Sequence, residues 1–159
     1  MDEAKFITLD NCLTILIYTD RSKSTNHMEL FTFYGGNYSS YIDYNGKKRN
    51  IKEGSAHLLE HYVCENTVSG DLLDNLRKYN VLSCNAGTSA FNTSYFFNTV
   101  CNFYECLDTF LDGIYNVSFT NEKLNKTKYA VLNEIRDSQN NEGRRIADIR
   151  DRTLFSNCM

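Results

Sequence analysis

From Cys12 to Tyr18 the string CLTILIY is almost wholly apolar and rich in β-branched residues, and a second run, MELFTFYGG from Met28 to Gly36, closes on a glycine pair. Both read as strands. The polar TDRSKSTNH between them reads as a hairpin connection, and NYSSYIDYNGKKRN after Gly36 as an exposed loop turning at Asn45-Gly46. From Glu53 the period changes. In EGSAHLLEHYVCEN, Leu58, Leu59, Tyr62 and Val63 recur at helical spacing, enough for about three turns. A short helix is expected over GDLLDNLRKYN, with Leu72, Leu73 and Leu76 on one face. VLSCNAGTSAF and TSYFFNTV, separated by Asn92, read as an antiparallel pair.

The clearest amphipathic stripe follows: Phe103, Leu107, Phe110, Leu111 and Ile114 fall on one helical face. Another helix is expected to start at a Thr120 cap and run through Leu124, Val131, Leu132 and Ile135 toward Ser138, with a charged amphipathic helix over NEGRRIADIRDRTLF behind it. Strands and helices in blocks, ββ, αα, ββ, ααα, favour an α+β fold over a parallel βαβ one: a mostly antiparallel sheet with helices packed on one face.

Composition narrows the function classes. The 159 residues, 42% hydrophobic and 23% charged, suit one soluble globular domain over residues 1–159. A chain of this size buries roughly 70% of its unfolded surface without metal or disulfide support. With 17 basic against 20 acidic residues and no basic cluster, nucleic acid is not expected as a partner. No apolar run approaches the ~18 residues of a membrane span. The start, MDEAKFITLDN, is acidic where a signal peptide would be basic. A cytoplasmic location is therefore expected, with an organelle left open. The six cysteines lack a CxxC pair and read as reduced thiols, mostly core. Four N-x-S/T triplets, at Asn37, Asn92, Asn116 and Asn125, follow from the abundance of Asn, and with no proline the turns fall to Gly, Asn, Asp and Ser.

The chemistry concentrates in His57-Leu58-Leu59-Glu60-His61, which holds two of the three histidines in the chain. At i and i+4 the imidazoles project from one helix face and can close on one metal ion. Glu60, on the neighbouring edge, can reach a water at that ion without becoming a ligand. The order is HxxEH, the inverse of HExxH. A catalytic zinc needs a third protein ligand and an open position. Glu134, mid-helix beside Val131, Leu132 and Ile135, is the natural candidate because an unpaired carboxylate there would be costly. Glu122 or Glu142 replaces it if the helical phase differs. Cys64 is expected to pack inward, Tyr95, Phe96 and Phe97 to serve the core and strand pairing, and His27 to lie solvated in a loop.

From Leu9 onward the chain resembles the insulinase-like or pitrilysin-type (M16) metallopeptidases, which include subunits of the mitochondrial processing peptidase. A strand near Asn11, a Gly-bearing strand end, GSAHLLEH, NAGTSAFNTSY, an amphipathic helix and VLNEIRD stand in that family's order. The resemblance implies zinc ligands at His57, His61 and Glu134, a general base at Glu60, and an edge strand at Asn85 and Ala86 to which an extended peptide adds. It implies a zinc-dependent endopeptidase in which the metal polarises the scissile carbonyl while Glu60 moves the proton. It also implies a second, similar half, from the same chain or a separate subunit, which supplies an Arg and a Tyr for substrate and oxyanion. The alternative is a non-catalytic or partner-dependent subunit; a third reading is adventitious metal binding. Two departures stand out. Thr127 occupies the position where the family carries another Glu, which predicts weaker support for the metal site. The chain also ends at TLFSNCM, soon after the Glu134 helix, so it is expected to be incomplete at its C-terminus, a shortened piece or an abbreviated member.

Overall fold

A computed structural model describes residues 3–155 of the chain. Seven strands and five helices follow one another as β1 (Glu3–Thr8), β2 (Thr14–Thr19), β3 (Asn26–Thr32), β4 (Ser40–Ile42), β5 (Lys48–Asn50), α1 (Ser55–Glu65), α2 (Leu72–Arg77), β6 (Ser83–Thr88), β7 (Thr93–Thr99), α3 (Phe103–Tyr115), α4 (Asn121–Gln139) and α5 (Glu142–Phe155). Every pairing among them is antiparallel. The architecture is α+β, with a central sheet in the order β3-β7-β6 and two separate hairpins, β1-β2 and β4-β5.

The strand partners differ from expectation in two places. β2 pairs with β1 through Ile7↔Ile15 and its neighbours, not with β3, so residues 20–25 are a connection and not a hairpin turn. The expected loop after Gly36 folds as the small β4-β5 hairpin. Its turn does fall at Asn45-Gly46: Gly46 takes φ +75°, and the Asp43 carboxylate accepts from the Asn45 and Lys47 amides and from Arg49 Nε. Those bonds hold the Asp43 carboxyl below its usual range, the Arg49 contact first among them.

The core forms where the inward face of β7 meets the helices. Tyr95 and Phe97 alternate inward along β7 and meet Val63 and Cys64 of α1, Leu72 and Leu76 of α2, and Cys106 and Phe110 of α3. Phe110 meets Phe97 edge-on at 5.4 Å between ring centroids. Phe96 points the other way, where its ring lies 6.0 Å from His27. His27 is in β3, not in a loop, and its Nδ1 meets Asn98 Oδ1 at 2.9 Å. Gly35 is needed where the chain leaves β3, because a Cβ there would lie 2.5 Å from the Asn92 backbone nitrogen in the β6-β7 turn.

Of the described cysteines only Cys64 and Cys106 are buried. Cys84 is half-buried, Cys12 and Cys101 are exposed, and Cys158 lies outside the described residues. Among the described residues, no helix is long and apolar enough to cross a membrane.

Candidate metal centre

Helix α1 starts at Gly54, whose φ of +79° suits a residue without Cβ, and buries Ala56, Glu60, Tyr62, Val63 and Cys64. Burying that stripe leaves His57 and His61 on the flank facing α4. Helix α4 begins at the expected cap, with Thr120 Oγ1 accepting from the Lys123 amide at 3.2 Å. Tyr62 fixes where α4 starts relative to α1. Its hydroxyl donates to the Ser118 carbonyl and accepts from the Thr120 amide, both at 3.0 Å, and its ring stacks on Phe119.

This arrangement brings Glu134 to the histidines. Glu134 Oε2 lies 3.1 Å from His61 Nε2 and 3.5 Å from His57 Nε2, and the two Nε2 atoms are 3.1 Å apart. Donor atoms on a tetrahedral zinc with bonds of 2.0–2.1 Å stand about 3.3 Å apart, so two imidazoles and one carboxylate match that ion in chemistry and in spacing. Glu122 stands in the first turn of α4, some 18 Å along the helix axis at 1.5 Å per residue, and Glu142 opens α5. Neither is brought to the triangle. The reason expected for Glu134 needs correction: its side chain is 44% exposed, and Leu132 and Ile135 beside it are exposed as well. The histidines, not an apolar wall, hold its carboxylate.

Glu60 is buried beside the triangle, within a His57-Glu60-His61 group whose donor atoms lie within 4.8 Å of one another. The looser spread leaves Glu134 as the better third donor. Glu60 is also engaged elsewhere, since its Oε2 accepts from Thr88 Oγ1 at 2.9 Å. Thr88 went unrecognised in the sequence, although it follows Cys84 and Ala86 on the inward-facing period of β6. Cys64 faces the core, and burial, reinforced by the nearby Glu60 charge, pushes its thiol up to about 12. Its place in the core cluster turns it away from the triangle. Burial likewise raises the Tyr95 phenol.

β6 is an edge of its sheet, as expected for Asn85 and Ala86. Ser89 and Asn92 close the β6-β7 turn with a backbone bond, and strict alternation from there points the Ala86 amide outward. That amide is covered only by its neighbour, Asn85 Oδ1, at 2.9 Å. A groove of about 470 Å³ runs from His57 between the start of α1 and α4, walled by Leu58, Tyr129, Leu132 and Ile135.

Behind His61 lies a second set of contacts. Glu65 Oε1 is 3.6 Å from His61 Nδ1, Glu65 Oε2 accepts from Thr127 Oγ1 at 2.9 Å, and Asn66 Nδ2 donates to Thr127 Oγ1 at 3.2 Å. The i, i+4 spacing of His61 and Glu65 was a readable signal. The Thr127 contact, 62 residues away in sequence, was not.

Comparison with known proteins gives one consistent answer. Over 129 residues the chain is 27% identical to the uncharacterized zinc protease YmfH of Bacillus subtilis (strain 168), a match covering 80% of this chain and 29% of that one. A solved structure from Alicyclobacillus acidocaldarius, described as an M16-like peptidase, superposes with a TM-score of 0.81 at 23% identity, over 91% of this chain and 33% of that one. A protease from Helicobacter pylori gives a TM-score of 0.69 at 19% identity, over 86% and 31%. The chain thus spans about a third of the length of these relatives, and the two structures share its fold. The profile of the insulinase family matches residues 47–158, which include both histidines, Glu60, Asn85, Ala86 and Glu134, and the chain belongs to that family, peptidase family M16.

Proposed function

We propose that this chain is the zinc-bearing half of a metalloendopeptidase that hydrolyses extended or unfolded peptides. The triangle of His57 Nε2, His61 Nε2 and Glu134 Oε2, with edges of 3.1–3.5 Å and a buried carboxylate beside it, carries the reading. His57, His61 and Glu134 hold the ion. Zinc, when bound, supplies Lewis acidity at the scissile carbonyl and brings the pKa of water toward neutrality. Glu60 takes the proton of the attacking water and returns it to the leaving amine. The Thr88 hydroxyl keeps the Glu60 carboxylate aimed. The substrate backbone pairs with the β6 edge at Asn85 and Ala86, displacing Asn85 Oδ1 from the Ala86 amide. Pairing through the backbone implies weak sequence preference, with the groove beside His57 accepting one side chain.

The site is open on the Glu134 side, where that side chain is 44% exposed. The donors that stabilise the oxyanion come from a second, similar half, and such donors are worth roughly 10²–10³ in rate. The test is Glu60→Gln, assayed with the second half present. Zinc content is expected to remain at one per chain while hydrolysis of an unstructured fluorogenic peptide falls by about 10²–10⁴, the range of acid–base catalysis. Loss of the metal in that variant would overturn the division of roles. Zinc without turnover in the unaltered, paired protein would identify a non-catalytic subunit instead.

A further inference from the structure

Both histidines turn Nε2 toward the triangle, which fixes what the other nitrogen of His61 must do. A neutral imidazole that offers a lone pair at Nε2 carries its proton at Nδ1. His61 Nδ1 faces Glu65 Oε1 at 3.6 Å, just beyond hydrogen-bond length. The other carboxylate oxygen of Glu65 is already held by Thr127, whose side chain is fully buried. Direction is set at Thr127. Its hydroxyl oxygen accepts from Asn66 Nδ2, itself buried and also bonded to the Tyr62 carbonyl, so the single hydroxyl proton is left for Glu65. The contacts converge on Glu65: Asn66 donates to Thr127 and Thr127 to one carboxylate oxygen, while His61 Nδ1–H faces the other.

We propose that Glu65 is the positioning carboxylate of this metal site, orienting His61 from within α1 and anchored across the helix pair by Thr127. Glu65 stands on α1, and Thr127, from α4, supplies the hydroxyl that grips it. Carboxylates placed behind a metal-ligating histidine fix its tautomer and raise its basicity, and their loss typically costs 10–100-fold in metal affinity. The inference rests on the zinc-site reading above and concerns how His61 is held, not whether peptide is cleaved.

The experiment measures zinc affinity by chelator competition, and the His61 tautomer by long-range ¹⁵N–¹H NMR, in the purified protein and three variants. Glu65→Leu is expected to weaken zinc about 10–100-fold and to shift metal-free His61 further from the Nδ1–H form toward the Nε2–H form that Glu134, 3.1 Å from Nε2, favours. Glu65→Gln, nearly the same shape, is expected to lose less, since its carbonyl still accepts from Nδ1. Adding Thr127→Glu to Glu65→Leu is expected to recover part of the affinity by supplying a carboxylate from α4 in place of the one removed. A purely structural role for Glu65 would lower the melting temperature while leaving tautomer and affinity unchanged, and that result overturns the proposal. Failure of the unaltered protein to bind zinc would remove the metal-site reading itself. One zinc in the unaltered protein with equal affinity in Glu65→Leu and Glu65→Gln would remove only the role of Glu65.

Discussion

Helices α1 and α4 both contribute to the donor triangle, yet they are held in different ways. α1 buries five of its eleven residues in the wall between β6-β7 and the other helices. α4 is longer, at nineteen residues, and buries only Thr127 and Val131. Val131 apart, the stretch from Tyr129 onward is open to solvent, with Tyr129, Leu132 and Ile135 exposed, and Glu134 sits on it. Two corners of the triangle are therefore fixed by the core. The third depends on ties one or more turns upstream, Tyr62 to the start of α4 and Asn66 to Thr127. A site assembled this way can be well formed at the histidines and adjustable at the carboxylate. On the proposed function, the exposed apolar residues around Glu134 are the face against which a second half would pack.

The comparison is broken most severely on the α1 side. His61→Ala is expected to abolish stoichiometric zinc binding, because it removes one donor and leaves the Glu134 carboxylate without its nearest partner at 3.1 Å. Glu134→Ala leaves both histidines and the core-held α1 intact, so zinc should still bind, more weakly. Elemental analysis after dialysis against buffer of defined free zinc checks the order of the two. Equal losses would mean that α4 is as firmly placed as α1. Next in size is the core behind α1. Phe97 is fully buried against Phe103 and Phe110, and Phe97→Ala should cost about 3–5 kcal/mol of unfolding free energy, read by denaturant titration.

The same contrast marks what could be read from the sequence. Stripes of three or more turns were legible: α1, α3 and α4 lie where apolar spacing places them, and the Thr120 cap bonds as its position suggests. The HxxEH spacing carried both histidines and Glu60, since i and i+4 on one helix need no tertiary information. β1 went unread because EAKFIT mixes charge into a six-residue strand, and β4 and β5 because three residues carry no period. Pairing β2 with β1 instead of β3 is a choice between partners, which local pattern does not encode. Thr88, and the contact that Thr127 makes, were missed for the same reason. Each meets its carboxylate through the fold, Thr88 across 28 residues and Thr127 across 62.

The smallest expected effect probes the exposed half of α4 directly. Leu132 and Ile135 are large apolar side chains, but at 47% and 40% exposure they give up little solvation when truncated. Leu132→Ala and Ile135→Ala should each change the stability of the chain by itself by no more than about 0.5 kcal/mol, as for ordinary surface positions. With a second half bound, the same truncations should weaken association or peptide hydrolysis, because both residues wall the groove beside His57. Measuring unfolding and paired activity on the same two variants separates the roles. A loss of several kcal/mol in the chain by itself would show that this face is packed internally, and that Glu134 is held by its own helix as firmly as the histidines are held by theirs.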